Sequence, residues 1–270
     1  MPQINHFKRA LQQGRVQIGL WSTLPSPLVS ELVGGAGFDW VLLDTEHTPT
    51  DVPTMFHQLQ ALAAATPPAG VPSTSAVVRP AWNDAVLIKR YLDIGAQSLL
   101  LPFVQDAQEA AAAVAATRYA PLGVRGMGGS TRASNFGRDR RYAREAADEL
   151  CVMVQVETPH ALEQIEAIAS VDGIDGIFIG PADLAASMGY PGEPGHPAVR
   201  SAIEDAIARI RACKRAAGIL MVDPEYAERC LALGAQFVAV AMDLLLLRDA
   251  VDSSAIRFKG STARNADPNY

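Results

Sequence analysis

Eight short apolar runs rich in Val, Ile and Leu recur along this chain, each followed by a stretch whose apolar residues return at helical spacing, and this alternation constrains the fold more than any other feature. Strands separated by whole helices must pair in parallel, because such a connection is too long for a hairpin and carries a helix across the sheet. The strand candidates are Ile18–Trp21, Trp40–Asp44, Ala76–Arg79, Ser98–Pro102, Val152–Val156, Gly176–Ile179, Ile219–Val222 and Phe237–Ala241. A doubly wound open sheet usually has fewer strands and carries a Gly-rich phosphate turn after the first, where this chain has Trp21-Ser22-Thr23-Leu24-Pro25. The expectation is a closed α/β barrel, the (β/α)8 TIM barrel. A length of 270 residues suits one such barrel, so a single domain over 1–260 is expected, with a polar, disordered tail over 261–270.

The helical segments carry readable limits. Ser26-Pro27 opens the first and Gly34-Gly35 with Gly37 closes it, while Asp84 opens the third and Gly95 closes it. Two stretches break the rhythm. Pro67–Ser75 reads as a connection on the N-terminal side of the barrel, and Gly123–Arg141, with Gly126, Gly128 and Gly129 and five arginines, reads as a long loop or a flap.

Composition removes several classes of function. With 49% hydrophobic and 19% charged residues the chain is globular rather than disordered. A net charge of −6 with scattered Arg and Lys leaves no basic stripe to neutralise nucleic acid. Cys151, Cys213 and Cys230 form no CxxC pair, which points to a reducing, cytoplasmic setting and away from structural zinc. No apolar run reaches the roughly 18 residues that a membrane span needs, and no signal-like segment precedes the first strand.

In an α/β barrel the C-terminal ends of the strands build the active site. Here the second strand ends in Asp44-Thr45-Glu46-His47, the third in Arg79, and the fifth in Gln155 and Glu157, while the sixth runs through Gly180-Pro181-Ala182-Asp183 into a helix. Glu157 and Asp183 are hard oxygen ligands for a divalent cation, Arg79 is a fixed positive charge, and His47 is a natural proton shuttle. Pro181 has no N–H and suits a first helical turn, leaving the Ala182 and Asp183 amides for a substrate carboxylate. Each residue taken alone has a plainer reading: Asp183 as a first-turn carboxylate, Glu157 as the start of a helix, Arg79 as half of a surface ion pair. Their joint placement on neighbouring strand ends carries the functional reading. His6, His57, His160 and His196 read as surface or capping residues. None of Lys8, Lys89, Lys214 and Lys259 lies on a strand candidate, so a Schiff-base route lacks its lysine.

With these residues on the page, the chain resembles the HpcH/HpaI aldolase family of class II pyruvate aldolases, within the phosphoenolpyruvate/pyruvate barrel superfamily. The likeness runs from about Gly19 to Phe258. It rests on Gly37-Phe38-Asp39-Trp40, Asp44-Thr45-Glu46-His47, Val78-Arg79-Pro80, Gly123-Val124-Arg125-Gly126, Val154-Gln155-Val156-Glu157-Thr158 and Phe178-Ile179-Gly180-Pro181-Ala182-Asp183-Leu184. The resemblance implies reversible cleavage of a 4-hydroxy-2-oxo acid to pyruvate or hydroxypyruvate and an aldehyde, through a metal-stabilised enolate. It implies Glu157 and Asp183 as ligands of Mg²⁺, Mn²⁺, Co²⁺ or Zn²⁺, with no organic cofactor. By the same likeness Gln155, Ala182 and Asp183 hold the oxo acid, Arg79 stabilises the enolate, His47 moves the proton with Asp93 raising its basicity, and Trp21 lines the mouth. The family pattern also implies a hexamer, a trimer of dimers, to which the apolar run Leu244–Leu247 could contribute. Two rival readings remain at this point: a lyase of the same superfamily acting on an acyl-CoA, for which the arginines of Gly123–Arg141 speak, and a barrel without catalysis.

Overall fold

The computed structural model of the protein describes residues 3–260. Eight strands follow one another around a closed ring, all parallel, with β1 returning to pair with β8. They are β1 (Gln17–Ser22), β2 (Trp40–Asp44), β3 (Ser75–Arg79), β4 (Ser98–Leu101), β5 (Cys151–Val156), β6 (Gly176–Ile179), β7 (Ala216–Leu220) and β8 (Phe237–Met242). The helices are α1 (His6–Gln12), α2 (Pro27–Gly34), α3 (Val52–Ala64), α4 (Ala85–Asp93), α5 (Ala107–Thr117), α6 (Tyr142–Glu149), α7 (Pro159–Glu163), α8 (Ile165–Ser170), α9 (Pro181–Ser187), α10 (Pro197–Ala212), α11 (Pro224–Ala232) and α12 (Asp243–Lys259). The (β/α)8 barrel expected from the alternation is the fold. The tail expected over 261–270 lies outside the described residues.

Side-chain alternation along each strand builds two apolar layers. Trp40 and Leu42 point into the barrel, where they meet Trp21, Phe178 and Phe237, while Val41 and Leu43 pack outward with Met55, Leu59 and Leu62 of α3. Burial of these side chains at about 25 cal/mol per Å² is the main favourable contribution to folding. The expected helix limits hold. Ser26 accepts from Val29 N at the start of α2, and Asp84 accepts from Val86 N and Leu87 N at the start of α4. No helix among the described residues is long and apolar enough to cross a membrane.

Three features differ from the sequence expectation. First, α1 closes the floor of the barrel. Phe7 is fully buried, with ring centroids 5.7 Å from Trp40 and 6.0 Å from Phe237, and Asn5 caps the helix while its side-chain amide reaches Ser98 Oγ at 2.9 Å. Second, β7 begins three residues before the expected Ile219, after α10 stops at Ala212. Ala216 and Ala217 carry no β preference, yet the segment pairs with β6 and β8, and position 218 is glycine because a Cβ there would fall into the Phe237 ring. Third, Gly123–Arg141 is not a flap over the mouth. It joins α5 to α6 at the N-terminal end of the barrel, where Arg132 donates to Ile94 O at 2.8 Å and sits over the Phe56 ring. Arg125 is enclosed there by Tyr119 and Tyr142.

Candidate active site

Four strand ends converge at the C-terminal mouth. After Asp44, Thr45 returns to β3 through its amide and its hydroxyl, which donate to Arg79 O at 3.0 and 2.7 Å. That turn sets the two carboxylates of the second strand end around one guanidinium. Arg79 donates through Nε and Nη2 to the two Asp44 oxygens, both at 2.8 Å, and its Nη1 lies 2.7 Å from Glu46 Oε2. Trp21 from β1 covers the same group, with the guanidinium carbon 4.6 Å from the ring centroid. A planar fork matched to a carboxylate and stacked on an aromatic face is a geometry that lysine cannot reproduce. Burial acts to lower the Arg79 pKa, but the Asp44 hydrogen bonds and the Asp44 and Glu46 charges overcome it, so the side chain stays charged.

Glu157, at the end of β5, is 1% exposed. Its Oε1 accepts the Phe103 amide at 2.8 Å, and its Oε2 accepts the Gln155 side-chain amide. Gly180 leaves the space this carboxylate occupies. A Cβ there would meet Glu157 Oε2 and would lie 2.9 Å from Gln155 Nε2. Burial pushes the Glu157 carboxyl up to about 7, against the hydrogen bond from Gln155 and with help from the Asp183 and Glu46 charges. Glu46 is likewise pushed up to about 7, chiefly by burial, with Arg79 opposing and Asp44 and Asp183 adding to the rise. Asp183 and Ala182 stand exposed in the first turn of α9, behind Pro181, where no side chain caps the helix.

The mouth therefore concentrates negative charge around a single guanidinium. The Asp183 charge raises both Glu157 and Glu46, and Gln155 Oε1 is buried without a partner. This donor chemistry fits a divalent cation of oxygen preference. No group of three or more His, Cys, Asp and Glu among the described residues could hold an ion. Glu157 and Asp183 would thus supply two ligands and leave the remaining positions to water and substrate oxygens.

Of the residues singled out in the sequence, Trp21, Arg79, Gln155, Glu157, Ala182 and Asp183 gather at this mouth, and His47 stands at its edge. The His47 side chain is 63% exposed, and its Nε2 lies 3.9 Å from Glu46 Oε2. Asp93 is not brought to His47 within the chain. It ends α4 at the opposite end of the barrel, where Arg125 donates to its Oδ1 at 2.8 Å. A helix that follows a strand runs back toward the strand's N-terminal end, so a residue in its last turn faces away from the mouth. Sequence reasoning missed Asp243. Its carboxylate accepts from Ser22 Oγ and Thr23 N at 2.8 Å and from Leu24 N at 3.1 Å, fixing the chain that follows Trp21. The available signal was an acidic residue closing an apolar strand run, as Asp44 closes β2. Lys8 is buried on Leu150 O at the floor and Lys214 is exposed, so neither enters the mouth. His196 caps α10 and His57 pairs with Gln60, in keeping with their surface and capping roles.

Residues 17–250 match the sequence model of the family described as HpcH/HpaI aldolase/citrate lyase. The chain is 56% identical over 255 residues to a pyruvate aldolase of Rhizobium etli, covering 94% of this chain and 98% of that one. It is 52% identical over 266 residues to a 4-hydroxy-2-oxo-heptane-1,7-dioate aldolase of Klebsiella pneumoniae, covering 98% of each. A crystal structure of a family protein from Burkholderia cenocepacia superposes with a TM-score of 0.89 at 35% identity, covering 94% of this chain and 99% of that one.

Proposed function

Because this chain belongs to the HpcH/HpaI aldolase/citrate lyase family of carbon–carbon lyases, we propose that it is a class II aldolase that cleaves a 4-hydroxy-2-oxo acid reversibly to pyruvate, or hydroxypyruvate, and an aldehyde. The observation that carries this reading is the buried Glu157 beside Asp183 and Gln155, facing the clamped Arg79 across one mouth. Glu157 and Asp183 would hold a divalent cation. That cation, Mg²⁺, Mn²⁺, Co²⁺ or Zn²⁺, supplies Lewis acidity that lowers the cost of charge on the 2-oxo group. The first-turn amide of Ala182 donates to the carboxylate of the oxo acid, and the Gln155 side chain, whose amide donates to Glu157, borders the same pocket. In the cleavage direction His47, reachable by water, accepts the proton of the 4-hydroxyl through a water molecule. The C3–C4 bond breaks, its electron pair moves to the oxygen on C2, and the aldehyde leaves. Arg79 stabilises that oxygen, preorganised by Asp44, Glu46 and Trp21. Proton return to C3 then gives pyruvate. Asp93, held by Arg125 at the far end, takes no part in this group within one chain. No mouth lysine offers a Schiff-base route.

Six exposed apolar residues of α12, Leu244, Leu246, Leu247, Val251, Ile256 and Phe258, support an oligomer, read here as a hexamer built from three dimers. The three cysteines are free, which supports a cytoplasmic enzyme. The acyl-CoA reading loses its basic loop, since Gly123–Arg141 lies at the other end of the barrel.

The test is exchange of pyruvate methyl protons in D₂O followed by NMR, with metal-stripped protein, protein given Mn²⁺ or Mg²⁺, and Asp183→Ala. Exchange that requires both metal and Asp183 is expected. An inert metal-loaded wild type with both pyruvate and hydroxypyruvate would overturn the aldolase reading.

A further inference from the structure

Phe103 stands just beyond β4 at the mouth, and its φ of 55° lies in the left-handed region. That region is rarely open to a bulky side chain, whereas glycine enters it without strain. The position nevertheless carries a phenylalanine, which is 39% exposed and so adds little to the core. Its ring is instead stacked on Trp82, itself 52% exposed, with centroids 5.6 Å apart and planes inclined by 29°. Trp82 lies in the connection from β3 to α4, shortly after Arg79. The stack therefore joins the strand end that carries Arg79 to the segment that contacts Glu157.

Successive amides of an extended strand point to opposite sides, yet here two in a row face β5. Phe103 N donates to Glu157 Oε1 at 2.8 Å, and Val104 N donates to Gln155 O at 3.0 Å. Two consecutive amides aimed one way require residue 103 to leave the extended conformation, and its positive φ is how it does so. Thr158 Oγ1 donates to Gln105 Oε1 at 2.6 Å, and Gln105 Nε2 returns to Phe103 O at 3.3 Å, which ties the same segment to the residue after Glu157. Strained backbone of this kind persists only where its surroundings hold it, and a stacked aromatic pair offsets part of the strain.

We propose that Phe103 and Trp82 are positioning residues for Glu157: the Trp82 ring holds the Phe103 backbone in its left-handed turn, and the turn keeps an amide on Glu157 Oε1. The inference rests on the reading of Glu157 as a metal ligand and adds the residues that fix that ligand in place. The phenylalanine is thereby explained, since its side chain is the handle by which Trp82 grips a backbone that would otherwise relax. Loss of a hydrogen-bonded partner behind a ligating carboxylate costs roughly ten- to a hundredfold in metal affinity.

The test is Mn²⁺ affinity at one fixed pH, read by calorimetry, in wild type, Trp82→Ala, the double variant Trp82→Ala with Phe103→Gly, and Glu157→Gln, with thermal melts checking the fold. Trp82→Ala is expected to weaken Mn²⁺ binding about tenfold. The double variant is expected to bind more tightly than Trp82→Ala, because glycine holds a positive φ without the stack. A merely structural role for the two rings predicts the reverse, since the double variant has lost both. A change under about twofold in Trp82→Ala, or a double variant no tighter than Trp82→Ala, overturns the proposal. Should Trp82→Ala fail to fold, Trp82→Leu, which keeps apolar cover and loses the stack, replaces it in both variants and is read by the same criteria. If wild type does not bind Mn²⁺, or Glu157→Gln binds it equally well, the metal reading has failed separately. Hydrogen exchange at the Phe103 amide of the metal-free protein then decides: exchange about tenfold faster in the Trp82 variant supports the proposal, and an unchanged rate overturns it.

Discussion

A buried carboxylate whose only nearby partners are an amide and a side-chain amide should cost the metal-free protein stability, and Glu157→Gln measures how much. Burial lifts the Glu157 pKa from 4.5 to about 7. At about 1.4 kcal/mol per pH unit, the charged form in the folded state is disfavoured by about 3.5 kcal/mol at most. The raised folded pKa means that the native state holds a proton which the unfolded chain has released between pH 4.5 and about 7. Stability of the metal-free protein therefore falls as pH rises through that window and levels off above it. Glutamine removes the dependence. It can keep the Phe103 bond through its oxygen, and Gln155, whose Oε1 has no partner, can turn its amide to accept from the new NH₂ group. Urea denaturation of metal-free wild type and Glu157→Gln should show the variant more stable by about 2 to 3 kcal/mol at pH 8, with the difference nearly gone at pH 5. Curves separated by the same amount at both pH values, or a variant less stable at pH 8, would refute the assignment of the raised pKa to this carboxyl.

Metal affinity should carry the same signature in the opposite sense: because the ligand must lose its proton, the apparent dissociation constant for Mn²⁺ should rise about tenfold per pH unit below 7, read by calorimetry, and a flat profile from pH 5.5 to 7 would contradict it. Arg79→Lys should keep the charge and lose the fork to Asp44, lowering pyruvate proton exchange by about a hundredfold, whereas a loss under threefold would mean that charge alone suffices. Gly218→Ala should lower stability by about 1 to 3 kcal/mol by forcing a methyl group against the Phe237 ring, and an unchanged melting temperature would show that the ring moves aside freely.

Strand limits were readable where an apolar run ends at Asp, Arg or Pro, as in Trp40–Asp44, because a buried parallel strand is apolar along its length and its first polar side chains mark the end that builds the mouth. They were not readable at Ala216-Ala217-Gly218, whose small side chains lack β preference, and where Gly218 leaves room for the neighbouring Phe237 ring. The short helix α1 was hidden because Phe7 and Leu11 make one apolar stripe in an otherwise polar stretch, and its role as a floor depends on partners far along the chain. At the site, residue types and strand ends told which groups share the mouth. They did not tell that Asp44 and Glu46 serve Arg79, since that depends on how the turn at Thr45 folds back onto β3. Asp93 was drawn into the site by likeness alone, and helix direction places it at the other end.

The floor of the barrel has a consequence for how the molecule comes into being. Phe7 leans on Trp40 and on Phe237, and Asp243 reaches back to Ser22, a separation of 221 residues. The first strand synthesised has one neighbour within a few dozen residues and must wait for the last strand to gain its other. Until then the growing chain carries an unpaired edge and an uncovered aromatic cluster, and closing the ring requires a loop of nearly the whole sequence. Folding should accordingly be slow to complete and governed by the arrival of β8, so that a ribosome stalled after α11 would hold an open sheet whose likeliest partner is another chain in the same condition.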